Sequence, residues 1–466
     1  MIRHALVGSL LCAATALAQP RTAAGPLRVL ESNPRYFTDG SGKAVYLAGS
    51  HIWQSLQDNG LIIRGAVQNP PPVFDYDGYL RFLERHNHNF FRLWRWEVTQ
   101  WTDRFTGGEV KYCRPHPWLR TGPGLAKDGE PKFDLTRFNP EYFDRLRTRL
   151  IAARDRGIYA AVMLFEGWEI QFTDGWAHHP FQGANNVNGV EGDANGDGNG
   201  LEYNTLQDTP MGRRVLELQE AYVRKVIDTV NDLDNVLYEI CNEAGAYSTE
   251  WQYHFIRFVK KYESGKAKQH AVGMTFQYKG GTNAALFASP ADWVSPNPGE
   301  PLESYRENPP SAHQGKVVVS DTDHLWGHTG GDAVWVWKSF CRGLNVLLME
   351  ELLPSPTWQD SARKGMQQTR RFSERVNLAA MVPEEKLSAT GYCLARRGQE
   401  YLVFQSGNKG EFTLNLKDAP GIFNVEWFDV YADRAVPAKP ITGGEVRTFT
   451  TPFGGPAVLY LKRARE

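Results

Sequence analysis

The chain runs to 466 residues, room for one large barrel with a small module or for two to three domains. Lys and Arg number 52 against 53 Asp and Glu, so the net charge of -1 favours neither nucleic acid nor an anionic membrane surface as a partner. All 14 Trp except Trp427 precede residue 360, a surplus that suits a core and also the flat platforms on which sugar rings stack.

Arg3 and His4 precede an apolar run that starts at Ala5 and is interrupted by Gly8, Ser9 and Thr15. Ala16-Leu17-Ala18 then offers a small-x-small cleavage site before Gln19. Residues 1–18 therefore read as a signal peptide, for secretion or export to a periplasm. The run is too short to cross a membrane, as is every later apolar stretch. Cys12 follows Ser9-Leu10-Leu11, a poor lipoprotein signal. Cys113, Cys241, Cys341 and Cys393 stand far apart without a CxxC, which argues against a thiolate zinc site and leaves their pairing open.

Residues 36–43 predict a hairpin leading into a first strand over 44–56. The two-residue period puts Leu47, Gly49, His51 and Trp53 on one face of it. A helix is expected around 76–85, then a second strand in HNHNFFRLWRWE (86–97), with Arg92, Trp94 and Trp96 on one face. An Arg turned into a barrel needs an anion or a hydrogen-bond network. Residues 101–132, with many Pro and Gly, read as a long functional loop. A helix over 139–157 has Pro140 near its start and Gly157 as its stop. IYAAVMLFEGWE then supplies a third strand, with Glu166, Trp168 and Glu169 near its end.

An insertion over 167–210 follows. His178-His179 in it suit a lid contact to substrate better than a metal. Asp193, Asn195 and Asp197 alternate ahead of Gly198 like the start of a calcium loop. Gly200 stands where an apolar residue is usual, and no closing Glu follows at the expected distance. A structural calcium there competes with a plain Gly/Asn turn, and no other cofactor is expected.

The central stretch is DNVLYEICNEAG, residues 234–245, between helical patterns over 211–232 and 249–264. A short apolar run in that context is a strand buried on both faces of a parallel sheet. Asn242 and Glu243 then sit at its carboxyl end, where barrel enzymes place their chemistry. Fifth and sixth strands are expected over 270–281 and 291–298. In KVVVSDTDHLWGH (316–328) three β-branched valines give a seventh strand, ending on Asp321, Asp323 and His324 with Trp326 beyond. A helix over 331–343, an eighth strand over 344–354 ending in Glu350 and Glu351, and a helix over 358–376 complete the order of a TIM (β/α)8 barrel, residues 27–382. From 387 to 466 the alternation of apolar and polar residues, with Gly/Asn turns, predicts a small all-β sandwich.

The segment 234–245 resembles the acid/base strand of glycoside hydrolase clan A, (β/α)8 enzymes whose fourth strand ends in Asn-Glu. The resemblance implies Glu243 as acid/base and Asn242 as a ligand of the sugar hydroxyl beside the scissile bond. Asn89-x-x-Arg92 is similar to the clan's second-strand motif, whose Arg orients the nucleophilic carboxylate. The clan carries a nucleophilic Glu at the seventh strand, whereas this chain has Asp321, with Asp323 on the same face and Glu351 as a fallback. His51, Trp53, Trp94, His324 and Trp326 complete the expected substrate-binding set. The C-terminal module resembles one found on many secreted barrel glycosidases and sometimes labelled collagen-binding; it reads as a structural companion of the barrel.

These residues imply a secreted O-glycosyl hydrolase acting on a poly- or oligosaccharide, with no catalytic metal. A carboxyl separation of about 5 to 5.5 Å would give retention, and about 6.5 to 9.5 Å inversion. Two rivals stand beside this reading. One is a metal-dependent hydrolase using Asp321, Asp323, His324 and His328, although no HExxH is present. The other is a non-catalytic carbohydrate-binding protein on a barrel that has lost its nucleophile.

Overall fold

The computed structural model describes residues 22–60, 71–104, 108–299, 304–312, 315–327, 330–350, 357–407 and 410–465. The expected signal peptide, with Cys12, and the candidates His328 and Glu351 lie outside these residues.

Eight parallel strands close into a barrel. They are β1 (Ala48–His51), β2 (Phe90–Leu93), β3 (Tyr159–Glu166), β4 (Val236–Asn242), β5 (Val272–Met274), β6 (Trp293–Val294), β7 (Val317–Asp321) and β8 (Asn345–Met349), with β8 paired back to β1. Every strand expected for the barrel is present and in the expected order. The helices α1 (Tyr76–Arg85), α2 (Pro140–Arg154), α3 (Pro210–Val230), α4 (Thr249–Glu263), α5 (Asn283–Ala288), α6 (Ala333–Cys341) and α7 (Asp360–Arg375) lie between or after them. Local chemistry sets their starts: Asp75 and Asn139 accept the N–H of Gly78 and Glu141, and Pro140 opens α2 where its missing N–H is not needed. Val215, Leu218, Tyr222 and Val226 form the buried stripe of α3.

Leu47, Phe90, Ala161, Leu237, Trp293, Val317 and Leu347 pack together inside the lower barrel, with Leu27 and Phe37 closing it from below. Inward residues further along include His51, Arg92, Glu239 and Asp321. Apolar burial therefore holds the ring shut and a charged layer sits above it. Gly49 permits the tight β1–β2 approach, because a Cβ there would lie 1.7 Å from the Phe90 carbonyl oxygen.

The segment expected as a long loop carries two antiparallel pairs instead: Gln100–Asp103 with Glu109–Arg114, and Trp118–Leu125 with Pro131–Phe138. Bulges break the register of the second pair, and Pro and Gly run through it, which hid its alternation. Trp96, Trp101, Trp118, Trp176, Trp251, Trp293 and Trp337 are fully buried, so half the tryptophans serve the core rather than an open platform. All four described cysteines are buried and free.

The C-terminal sheet runs in the order β9 (Val382–Pro383), β10 (Cys393–Arg396), β11 (Glu400–Gln405), β16 (Ala457–Arg463), β13 (Ile422–Asp429), β14 (Arg434–Thr442), all antiparallel. The pair β12 (Glu411–Asn415) and β15 (Val446–Thr450) covers one face, Phe412, Leu414 and Phe449 packing with Tyr401, Val403 and Leu459. The other face rests on the barrel: Trp337 of α6 lies 6.1 Å from Phe404 and 6.0 Å from Phe428, and Phe372 of α7 lies 5.2 Å from Phe428. This aromatic seam joins the two parts.

Candidate active site

Arg92, buried in β2, organises the top of the barrel. Its Nε and Nη2 donate to the two oxygens of Glu239 at 2.8 and 2.5 Å, and Nη2 also donates to Asn242 Oδ1 at 2.6 Å. Nη1 donates to Asp321 Oδ2 at 3.2 Å and to Asp323 Oδ2 at 3.1 Å. One planar cation thus links β2 to β4 and β7. Only the fork of a guanidinium can serve that many acceptors at once. Burial works against its charge, but Glu239, Asp321 and Asp323 outweigh burial and keep Arg92 protonated. Glu239 was not anticipated. Its signal was a lone charged residue within an otherwise apolar buried strand.

Asp321 ends β7 and caps the short helix Thr322–Trp326, accepting the Asp323 N–H at 3.0 Å. The same Oδ1 is hydrogen-bonded to His51 Nε2 at 3.1 Å. Burial pushes its carboxyl up, but His51, His324 and Arg92 outweigh burial and hold it well below the usual carboxylate range. Asp323 behaves oppositely: burial and then the facing Asp321 charge raise it, with Arg92 the main opposing influence. Its side chain keeps 8% of its surface exposed, against none for Asp321.

Glu243 follows the last residue of β4 and takes φ +48°, a left-handed conformation uncommon outside glycine. Strain of this kind, on the order of 1 kcal/mol or more, persists where the surroundings over-determine it. Here Gln171 Nε2 donates to the Glu243 carbonyl at 3.0 Å and the Gly167 N–H donates to the Asn242 carbonyl at 2.7 Å. A Cβ on Gly167 would fall 2.5 Å from that of Ala244, so the ends of β3 and β4 abut. The half-buried Glu243 carboxyl is raised well above its ordinary value, first by desolvation, then by Asp323 and Glu166, against the pull of Arg92.

The structure brings together His51, Arg92, Trp94, Asn242, Glu243, Asp321, Asp323 and His324. Trp94 stacks on His51 at 5.6 Å and 3° and lies under Arg92 at 4.8 Å. Trp53 is 6.4 Å from Trp94 and packs edge-on against Trp101. His324 turns its Nδ1 to Ser295 Oγ at 2.7 Å and its Nε2 towards Asn242 Oδ1 at 3.4 Å. Trp326 packs edge-on against Trp335 of α6, 5.4 Å away, rather than against this group. Glu350, the other acid at the end of β8, is clasped by Arg363 at 2.8 and 2.7 Å.

One expectation in the 167–210 insertion changes. His179 is not a lid residue: it is fully buried, 3.4 Å from Glu97, which also accepts the Tyr203 hydroxyl at 3.0 Å. His178 Nδ1 faces the Asp174 carbonyl at 2.9 Å. Asp193 accepts the N–H groups of Gly196 and Gly198, and Asn195 donates to Asp197 and Glu202. This is a turn closed by its own hydrogen bonds.

His51, Asp321 and Asp323 also offer ligand atoms within 4.8 Å of one another, the spacing of a metal site. Arg92 Nη1 already stands 3.2 and 3.1 Å from both aspartates, where it would repel a divalent ion. The donor set therefore fits a guanidinium better than a metal.

Glu166, the last residue of β3, is fully buried and pushed up to about 7, mainly by desolvation. Because the folded state holds this proton above the ordinary glutamate value of 4.5, it binds more protons than the unfolded chain between those values. Stability should accordingly fall as pH rises through that window, by on the order of 3 kcal/mol from Glu166 alone. Urea unfolding at pH 5 and pH 8 measures this, and equal stability at both would contradict the buried, protonated Glu166.

Fold and site together define a (β/α)8 barrel with carboxylates gathered at the C-terminal ends of its strands, the end at which barrel enzymes carry their chemistry. Solved structures similar to this chain agree on the fold. A solved glycoside hydrolase superposes with a TM-score of 0.57 at 12% identity, covering 95% of this chain and 98% of its own. A family 5 glycoside hydrolase from Bacteroides vulgatus ATCC 8482 gives 0.57 at 13% identity, with 95% of each chain covered. A candidate glycoside hydrolase from the same organism gives 0.62 at 13% identity, covering 94% of this chain and 82% of its own. A sequence family described as a domain of unknown function, DUF6298, matches residues 82–284. No curated protein matches the sequence.

Proposed function

We propose that the chain is a secreted glycoside hydrolase of the clan A type, cleaving O-glycosidic bonds of a poly- or oligosaccharide. The observation that carries this is the contrast within one site: Glu243 favours its protonated form, while Asp321 and Asp323 share the Arg92 guanidinium. Glycoside hydrolysis needs one acid to protonate the leaving oxygen and one carboxylate on the other side of the sugar. Glu243 is the acid/base. Asp323 is the opposing carboxylate, nucleophile or base, because it keeps some exposure and only its Oδ2 is engaged by Arg92. Asp321 spends its oxygens on His51, the Asp323 N–H and Arg92, and positions them. The glycoside hydrolase neighbours support a carbohydrate substrate.

The test is hydrolysis of a panel of plant and microbial polysaccharides with product analysis, run with and without EDTA. Cleavage unaffected by EDTA is expected. Activity abolished by the chelator and restored by a divalent ion would favour the metal reading of His51, Asp321 and Asp323. Binding of a polysaccharide without turnover of any substrate would favour the non-catalytic one.

A further inference from the structure

We propose that Glu166 is a positioning residue of this reaction, fixing the amide of Asn242 and setting a second carboxylate charge beside Glu243. The inference rests on the glycosidase reading for its catalytic meaning, though not for its test.

Glu166 and Asn242 are register partners at the ends of β3 and β4. Glu166 Oε1 accepts the Trp168 N–H at 2.8 Å and faces Asn242 Nδ2 at 3.4 Å, and Oε2 accepts the Glu169 N–H at 3.1 Å. Asn242 Oδ1 is held by Arg92. The amide is therefore gripped from both ends, with one N–H left for a substrate hydroxyl. The abutment of Gly167 on Ala244 brings the Glu166 backbone alongside that of Glu243, and the two carboxyls feel each other's charge.

The charged groups around the pair come from three strands and their extensions. β2 and its extension contribute Arg92 and Glu97, β3 and its extension contribute Glu169 with Arg104 on it, and β7 contributes Asp321 and Asp323. Buried His179 faces Glu97, and Tyr247 and Cys241 stay neutral. With Arg95 paired to Glu97, carboxyls still outnumber guanidinium groups here, so ionisation of one carboxyl raises the cost of ionising the next. A charge on Glu166 raises Glu243 and so favours its acid form. The bland alternative is that Glu166 only caps the turn at Glu169–Gln171.

The full chain labelled with carboxyl-13C glutamate separates the two. The Glu243 resonance is assigned by its loss in Glu243→Gln and titrated in the wild type, Glu166→Gln and Glu166→Asp. The wild-type resonance should move in two steps, one of them following Glu166. In Glu166→Gln its midpoint should fall by on the order of one pH unit, and the basic limb of kcat/KM should fall with it. Glu166→Asp should keep the limb near its wild-type position. A single-step wild-type titration would overturn the proposal, whether or not Glu166→Gln folds. So would an unchanged midpoint in a folded Glu166→Gln. A wild type without glycosidase activity would sink the functional reading alone, since the NMR titration needs no turnover.

Discussion

Glu243→Gln should lower kcat/KM on an unactivated polysaccharide by on the order of 10^3-fold, with little change in stability. The amide is isosteric but cannot give up a proton to the leaving oxygen. The deficit should shrink to about tenfold or less on an aryl glycoside whose leaving group needs no protonation. That difference is the signature of a general acid, because a merely structural Glu243 would impair both substrates alike. The measurement is steady-state kinetics on both substrates for wild type and variant. The strained backbone at Glu243 reinforces the expectation, since φ +48° commits the chain to aiming this side chain.

Arg92→Met should be the most damaging single change to the barrel, at roughly 3–5 kcal/mol near neutral pH. The side chain is 1% exposed, and its loss strands Glu239, Asp321 and Asp323 without their shared cation. The pH dependence follows from Asp321, whose carboxyl is held below its ordinary value. A depressed carboxyl contributes stability that is present above the unfolded value and lost as pH falls through the folded one. The gap between wild type and Arg92→Met should therefore be widest at neutral pH and narrow as pH falls and the variant's folded state takes up protons on carboxyls that Arg92 keeps ionised in the wild type. Urea unfolding across pH 3.5 to 7.5 checks this. Activity should be lost at every pH, since Asn242 and Asp323 both lose their anchor.

Much of this was legible in the sequence because parallel barrel strands are buried on both faces and stand out as short apolar runs between helices. The run at 236–242 shows the limit of that signal. Its polar end, Asn242-Glu243, was readable from position alone, but Glu239 inside it meant nothing until Arg92 was seen to point at it. Arg92 itself was readable because an inward Arg demands an anion. Distinguishing Asp321 from Asp323 was not possible from spacing. The difference lies in a capping hydrogen bond and in His51, 270 residues away. The same holds for Arg95, Glu97, His179 and Tyr203, which meet only because the insertion after β3 folds back onto the barrel. The antiparallel pair between 118 and 138 was hidden by bulges and by Pro and Gly, residues that ordinarily mark loops.

The claim on which the account turns is that Glu243 and Asp323 act across one sugar while Asp321 only holds them in place. Turnover of a single good substrate by the wild type, Asp323→Asn and Asp321→Asn, with all three confirmed as folded, tests it most directly. Asp323→Asn should fall by on the order of 10^4-fold or more, and Asp321→Asn should keep a measurable fraction of activity with an altered pH profile. An Asp323→Asn protein that still cleaves its substrate at close to the wild-type rate would contradict it.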